Sequence, residues 1–182
     1  MTVLSLIPRQ RAAVLEAARE IFARRGFLEA SWGDIAYRAR LSPLRMSEFF
    51  KGKKELFDAV VDDVCDEACA KLEAAVGAAW TPAEKMRTFI EVRQGMAERM
   101  VQQLRVTPRA LRELMPLVEP RLARPRAREV ALLTAIFEAG KEQGTFEVRN
   151  TRAAARALAL GFQHVECTLL RAGLAPGALI RP

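Results

Sequence analysis

The sequence predicts an all-α chain, and three observations carry that reading. Ala, Leu and Arg dominate the composition while aromatic residues make up only 7%. Ala and unbranched side chains lose little conformational freedom in a helix. Apolar residues recur at helical spacing, and no stretch alternates with the period of a strand. Cap residues, prolines and glycines then divide the chain into helix-length segments.

The first helix is expected over residues 8–25. Val14, Ala17, Ala18, Ile21 and Phe22 fall at i, i+3, i+4, i+7 and i+8, forming one apolar stripe. Gly26 is placed to end it in the left-handed conformation, with Phe27 packing back on Phe22. Ser31 caps a second helix that ends near Ala39, with Asp34 as a short-armed capping-box partner. Ser42 followed by Pro43 is a cap and an N1 proline, opening a short third helix that ends near Phe50. Leu41 lies in the turn between them. Ile35, Ala36, Leu41, Met46 and Phe50 are placed to pack on the stripe of the first helix.

A fourth helix is expected over 53–78. Thr81-Pro82-Ala83-Glu84 combines a cap, an N1 proline and a capping box. The helix it opens carries Met86, Phe89, Ile90, Met96, Met100 and Leu104. Thr107-Pro108 starts a shorter helix, after which Pro116, Pro120 and Pro125 break the chain into turns or helical pieces. A long helix over 126–143 is closed by Gly144. The last, over 151–172, is capped by Asn150 and stopped by Gly173. No internal repeat stands out.

A chain of 182 residues, 51% of them hydrophobic, can bury a core without metals or disulfides. The net charge of +7 agrees with a polyanionic partner. Residues 1–60 hold 11 basic and 7 acidic residues, so the basic excess is densest in the N-terminal third. A second basic stretch, Arg105 to Arg128, holds seven arginines and reads as a solvated surface. Cys65, Cys69 and Cys167 form an odd, sparse set that fits a reducing compartment. The apolar start is too short for a signal peptide, and no apolar run approaches the roughly 20 residues of a membrane span. A soluble, cytoplasmic protein with no membrane partner is expected.

Two short helices joined by a tight turn and braced by a preceding helix form a helix-turn-helix. Its second helix fits a major groove about 12 Å wide. Helix pairs of this kind also occur in many all-helical proteins that bind no DNA. The lysines add weight. Lys53 and Lys54 open the fourth helix, with Lys51 just before it. Cations at a helix N-terminus oppose its dipole, and a phosphate there turns repulsion into attraction. A solvated lysine cluster is the plain alternative.

The first fifty or so residues resemble the TetR-type repressors. The matching residues are Val14-Leu15, Ala17-Ala18, Phe22, Gly26-Phe27, Ser31, Ile35-Ala36, Ala39, Leu41-Ser42, Phe49-Phe50, Lys53 and Leu56. Farther on, the Gly144-Thr145-Phe146 turn and the alanine-rich start of the last helix also look like the family. The resemblance implies a bacterial homodimer that binds a palindromic double-stranded operator and answers to a small, hydrophobic effector. It implies a helix-turn-helix DNA-binding domain over 1–54 and a larger helical ligand-binding and dimerisation domain over 55–182. Ser31 and Trp32 would then touch phosphate. Ser42, Pro43, Leu44, Arg45, Ser47, Glu48 and Phe49 would form the recognition helix, and Lys51, Lys53 and Lys54 would contact phosphate beyond it.

The departures cluster in that region. Arg40 stands where the family has glycine, Leu44 where it has a small residue, and Ser47 where it has a tyrosine that reaches the DNA backbone. Arg45, in the first turn of the third helix, is expected to read guanine, since arginine can donate two hydrogen bonds to its edge. Glu48 either accepts from cytosine or repels phosphate.

For the second domain the resemblance implies a pocket among the central helices. Phe89, Met96, Met100, Leu104, Leu111, Phe137 and Phe162 are its apolar candidates, with Gln163 and His164 as polar contacts. Methionine adapts to varied apolar shapes, although ordinary core packing explains the same stripe. Val130, Leu133, Ile136 and Phe137 on one helix, and Leu158, Phe162, Val165 and Leu169 on the next, form stripes that the family pairs across a two-fold axis.

An enzyme is the rival from another class. His164 with Cys167, and Cys65 with Cys69, have helical spacings that could start a metal site. Neither pair has a third ligand at a recognisable spacing, and no nucleophile elbow or phosphate loop is present. No catalytic residue, metal or cofactor is expected. A helical ligand-binding or scaffold protein with weakened DNA binding is the other alternative.

Overall fold

The computed structural model describes the backbone of residues 3–104 and 108–171, and the side chains of residues 7–96, 109, 110 and 112–165. Among the described residues every regular element is helical: α1 (Val3–Glu29), α2 (Trp32–Arg38), α3 (Pro43–Ser47), α4 (Lys53–Ala78), α5 (Pro82–Leu104), α6 (Pro108–Val118), α7 (Ala123–Glu142) and α8 (Thr151–Arg171). A 3-10 turn, Glu119–Leu122, separates α6 from α7. The all-α expectation holds. Met100, Leu104, Leu111, Cys167, Leu169 and Gly173 lie outside the described side chains.

The caps are where the sequence places them. Asp34 N–H donates to Ser31 Oγ at 3.0 Å, and Arg45 N–H donates to Ser42 Oγ at 3.1 Å. Thr81 and Glu84 form a reciprocal capping box with bonds of 3.0 and 3.2 Å. Asn150 Oδ1 accepts from Ala153 N–H at 2.9 Å to open α8. The expected box at Ser31 does not close, because the shorter Asp34 side chain instead accepts from Arg25 at 2.7 Å.

Helix boundaries differ from expectation at several places, and α3 ends at Ser47 rather than near Phe50. α1 begins at Val3, with Pro8 inside it rather than opening it. Pro116 is carried within α6, where only one interior N–H is lost. α7 starts at Ala123, so that Pro125 falls in its first turn, where the missing N–H costs nothing.

The chain divides into two compact units. The first gathers α1, α2, α3, the start of α4 as far as Val64, and α6. Its core is Val14, Ala18, Phe22, Ile35, Met46, Phe50, Leu56 and Phe57, all at most 2% exposed. Gly26 has φ 81° and ψ −179°, a region open essentially to glycine alone. Phe27 beyond it stacks on Phe22 at 5.9 Å, as the sequence predicts, and meets Phe57 edge-on at 5.4 Å. The break at Gly26 therefore turns Phe27 into the core.

The second unit gathers the rest of α4 from Cys65, α5 to Val101, and α7 with α8. Leu72, Val76, Phe89, Leu133, Ile136 and Ala155 form its buried centre. Phe146 closes the α7–α8 turn by lying over Gly140 and against Phe137, ring centroids 5.9 Å apart. Gly144, at φ 68°, ends α7 as expected. Arginines of the stretch read as a solvated surface are instead paired with α4. Arg128 forks onto Glu73 with bonds of 2.9 and 2.7 Å, and Arg124 reaches Asp66 at 2.6 Å.

This packing has two measurable consequences. A Cβ at Gly140 would fall inside the Phe146 ring. Gly140→Ala should therefore lower stability by about 1–3 kcal/mol through overpacking, despite alanine's better helix propensity. Chemical denaturation would measure this, and a neutral or stabilising result would rule the contact out. The second concerns acid. The Arg128 guanidinium bonded to Glu73 holds that carboxyl below the usual carboxylate range. A pKa lowered in the fold stabilises above the unfolded-state value, and the benefit is lost as pH falls through the folded value. Stability should thus drop on acidification below about pH 4, given an ordinary glutamate near 4.3. Glu73→Gln should flatten that limb of the stability curve.

Candidate nucleic-acid interface

The candidate interface is built on α2 and α3. After α2 the chain reverses through a tight turn in which Arg40 N–H donates to Tyr37 O at 3.1 Å and Leu41 N–H to Ala36 O at 3.0 Å. This is the bonding pattern of a Schellman closure. Ile35, Ala36 and Met46 are buried against α1, leaving the outer face of α3 open: Leu44 is 80% exposed, and Ser42, Pro43, Ser47 and Glu48 are exposed too.

Two ties set the position of α3. The Trp32 indole N–H donates to Pro43 O at 3.3 Å, joining the starts of α2 and α3. The Arg45 guanidinium donates to Gln10 Oε1 of α1 through Nε at 3.2 Å and Nη2 at 2.9 Å. It also pairs with Glu48 and lies over the Phe49 ring at 5.4 Å. Arg11 of α1 sits over Phe50 at 5.1 Å. Neither Gln10 nor Arg11 stands out in the sequence as a site residue, because a contact 35 residues apart leaves no local pattern.

These contacts reassign several expected roles. Arg45 does not present a free fork to a base, since its donors are engaged by Gln10 and Glu48. The Trp32 N–H is spent on Pro43. Ser47 Oγ donates back to Pro43 O at 3.0 Å. Lys53 Nζ donates to Leu28 O at 3.3 Å and Ala30 O at 3.0 Å, with the Phe27 ring 4.7 Å away. It therefore caps the end of α1, using two of the three ammonium protons. Lys54 pairs with Asp58. Ser31 and Ser42 accept with their oxygens, so each hydroxyl proton remains available to an outside acceptor. Lys51 is exposed just before the start of α4.

The expected ligand and dimer residues lie in the second unit. Phe89 is completely buried, and Met96, Phe137 and Phe162 pack around its core. Phe162 lies 6.1 Å from Phe89 and 5.3 Å from the Arg93 guanidinium. Gln163 is half-buried and His164 exposed. Leu133 and Ile136, expected to face a second copy, are 0% and 2% exposed within one chain, so their apolar surface is already used in the unit's own core. Val130 and Leu158 pack at its edge, while Val165 and its neighbour Leu160 on α8 are 46% and 63% exposed. Burial raises the Cys69 thiol pKa, which suits a packing role. No group of three His, Cys, Asp or Glu that could hold a metal ion occurs among the described residues, and no described helix is long and apolar enough to cross a membrane.

A capped helix pair on a three-helix support, with one open helix face, defines a helix-turn-helix protein. Residues 14–60 match the family described as bacterial regulatory proteins, tetR family. The match covers the helix-turn-helix segment, and the all-helical fold of the described residues is similar to that of solved transcriptional regulators. The chain is 30% identical over 92 residues to the HTH-type transcriptional regulator BetI of Brucella anthropi, covering 50% of this chain and 47% of that protein. The chain thus spans about half the length of the curated relatives it matches. Its fold is similar to that of a TetR-family transcriptional regulator from Pectobacterium atrosepticum, with TM-score 0.73 and 22% identity, covering 93% of this chain and 86% of that one. It is also similar to that of FadR from Bacillus subtilis, solved in complex with stearoyl-CoA, with TM-score 0.69 and 18% identity over 92% of each chain. The family and these relatives are transcriptional regulators, not enzymes.

The assignment of Lys53 to the end of α1 has a measurable consequence. Lys53→Met should destabilise the protein by about 1–3 kcal/mol, because two carbonyls lose a charged donor. Lys54→Met, which loses only an exposed i,i+4 pair, should cost under about 0.5 kcal/mol. Equal effects in denaturant titrations would show that Lys53 has no structural role.

Proposed function

We propose that this protein is a transcriptional repressor that binds a palindromic operator as a homodimer, with α3 of each protomer in the major groove. The observation that carries the reading is the helix-turn-helix of residues 31–50, whose capped helices leave one face of α3 uncovered. The family match over residues 14–60 supports it. In this reading residues 1–54 act on DNA, while residues 55–182 hold the effector and the dimer surface. Ser31 and Ser42 donate their hydroxyl protons to phosphate, as Lys51 does its ammonium, and Leu44 meets the groove. The exposed Leu160 and Val165 on α8 support a subunit contact there in place of Leu133 and Ile136.

An apolar small molecule is the effector in this reading. The aromatic and methionine side chains around Phe89 support it, as does the stearoyl-CoA complex of the Bacillus subtilis FadR that shares the fold. Binding there controls operator affinity only if the molecule prefers one conformation of the protein. α4, unbroken from Lys53 to Ala78, is the element proposed to carry the change.

A second reading, a helical ligand-binding or scaffold protein with weakened DNA binding, draws on the internal engagement of Arg45, Ser47 and Lys53. Selection of bound fragments from the source genome decides between them. A regulator should recover a palindromic site near few genes and bind it as a dimer. Its log affinity should fall linearly with log salt, with a slope of about −0.9 per phosphate contacted. Recovery of no enriched site, with binding indifferent to salt, would establish the scaffold.

A further inference from the structure

Arg40 occupies the left-handed position of the α2–α3 turn at φ 58°, the one non-glycine residue with positive φ among the described residues. Its N–H and that of Leu41 close the turn on Tyr37 O and Ala36 O, so the backbone cannot relax without opening the helix-turn-helix. An arginine gains nothing locally from this conformation, in which its Cβ crowds the following carbonyl. Strain of this kind persists where surrounding structure enforces it, and it concentrates at functional sites.

The side chain offers a reason. Arg40 is exposed, and its guanidinium makes no hydrogen bond or ion pair among the described residues, although the neighbouring cations do. Arg25 and Arg38 pair with Asp34 and Glu20, Arg45 with Glu48, and Lys54 with Asp58. Lys53 is bound to backbone carbonyls. Tyr37 and Leu44, on either side of the turn, are 87% and 80% exposed, so the chain's described residues leave this edge of the helix-turn-helix uncovered. Ser47, bonded back to Pro43, offers no donor to a phosphate beside α3.

We propose that Arg40 is a DNA-phosphate anchor on the α2–α3 turn, holding α3 in register and keeping its left-handed strain for that contact. The proposal rests on the DNA-binding reading above. A guanidinium in this place forks onto the oxygens of one phosphate, contributes equally to every base sequence and orients the recognition helix without reading it.

The test compares the wild-type chain with Arg40→Gly and Arg40→Lys on a mixed-sequence duplex two helical turns long. Binding is measured across a salt series and thermal unfolding in parallel. Arg40→Gly relieves the turn and removes the cation. Its Tm should rise while affinity falls about three- to tenfold, and the salt slope should shrink by about 0.9 for each phosphate no longer neutralised. Arg40→Lys should keep the wild-type slope and Tm. Opposite movement of stability and binding in the glycine variant is a result that a purely structural residue would not give. Unchanged affinity and slope in Arg40→Gly, with the wild type bound, would overturn the role of Arg40 alone. A wild type that shows no salt-dependent binding would overturn both this role and the reading beneath it.

Discussion

The helix-turn-helix rests on how the end of α1 is closed. At Gly26 the chain leaves helical geometry, and the backbone polar groups beyond it need partners. Leu28 N–H finds the Glu113 carboxylate of α6 at 2.6 Å. Leu28 O and Ala30 O find the Lys53 ammonium of α4. Phe27 is held against Phe22 and Phe57. Elements far apart in sequence therefore meet at one short segment, immediately before Ser31 caps α2. A side chain on Gly26 would meet the Glu113 carboxylate at 2.6 Å, so the same glycine both permits the turn and admits its partner.

This closure changes how the positive charge of the N-terminal third is distributed. Several cations that a linear reading assigns to DNA serve the protein first. The engagement is not uniform. Lys53 bonds to backbone groups at the end of a helix, where removing the donor leaves a carbonyl unsatisfied. Arg45 and Lys54 hold partly exposed carboxylates, and such pairs contribute little, so a phosphate can compete for the same cation. Arg45 thus couples the placement of α3 on α1 to whatever occupies the outer side of α3. An outside anion that draws it away must offset the bonds to Gln10.

Much of the fold was legible in the sequence because its signals are local. Ser31, Ser42, Thr81 and Asn150 cap helices within four residues of themselves, and Gly26 and Gly144 break them through their own backbone freedom. The boundaries that moved involve prolines, whose cost depends on which N–H is already unpaired. The Asp34 box failed by one methylene, with Arg25 offering the carboxylate a better partner. The site was legible as an element but not as contacts. α3 was found by its cap and proline, whereas the bonds of Arg45 to Gln10 and of Lys53 to the end of α1 have no counterpart in spacing.

The sequence by itself determined the helical character of the chain and the place of the helix-turn-helix, because caps, breaks and periodicity act between neighbours along the chain. Only the tertiary structure decided which cations are committed inside the protein and which face outward. It likewise decided that Leu133 and Ile136 belong to one chain's own core, and that α6 packs with the N-terminal helices. Those outcomes depend on which surfaces meet. An ammonium or a backbone N–H takes a partner near in space, and that partner lies 23 residues from Lys53 in one case and 85 residues from Leu28 in the other.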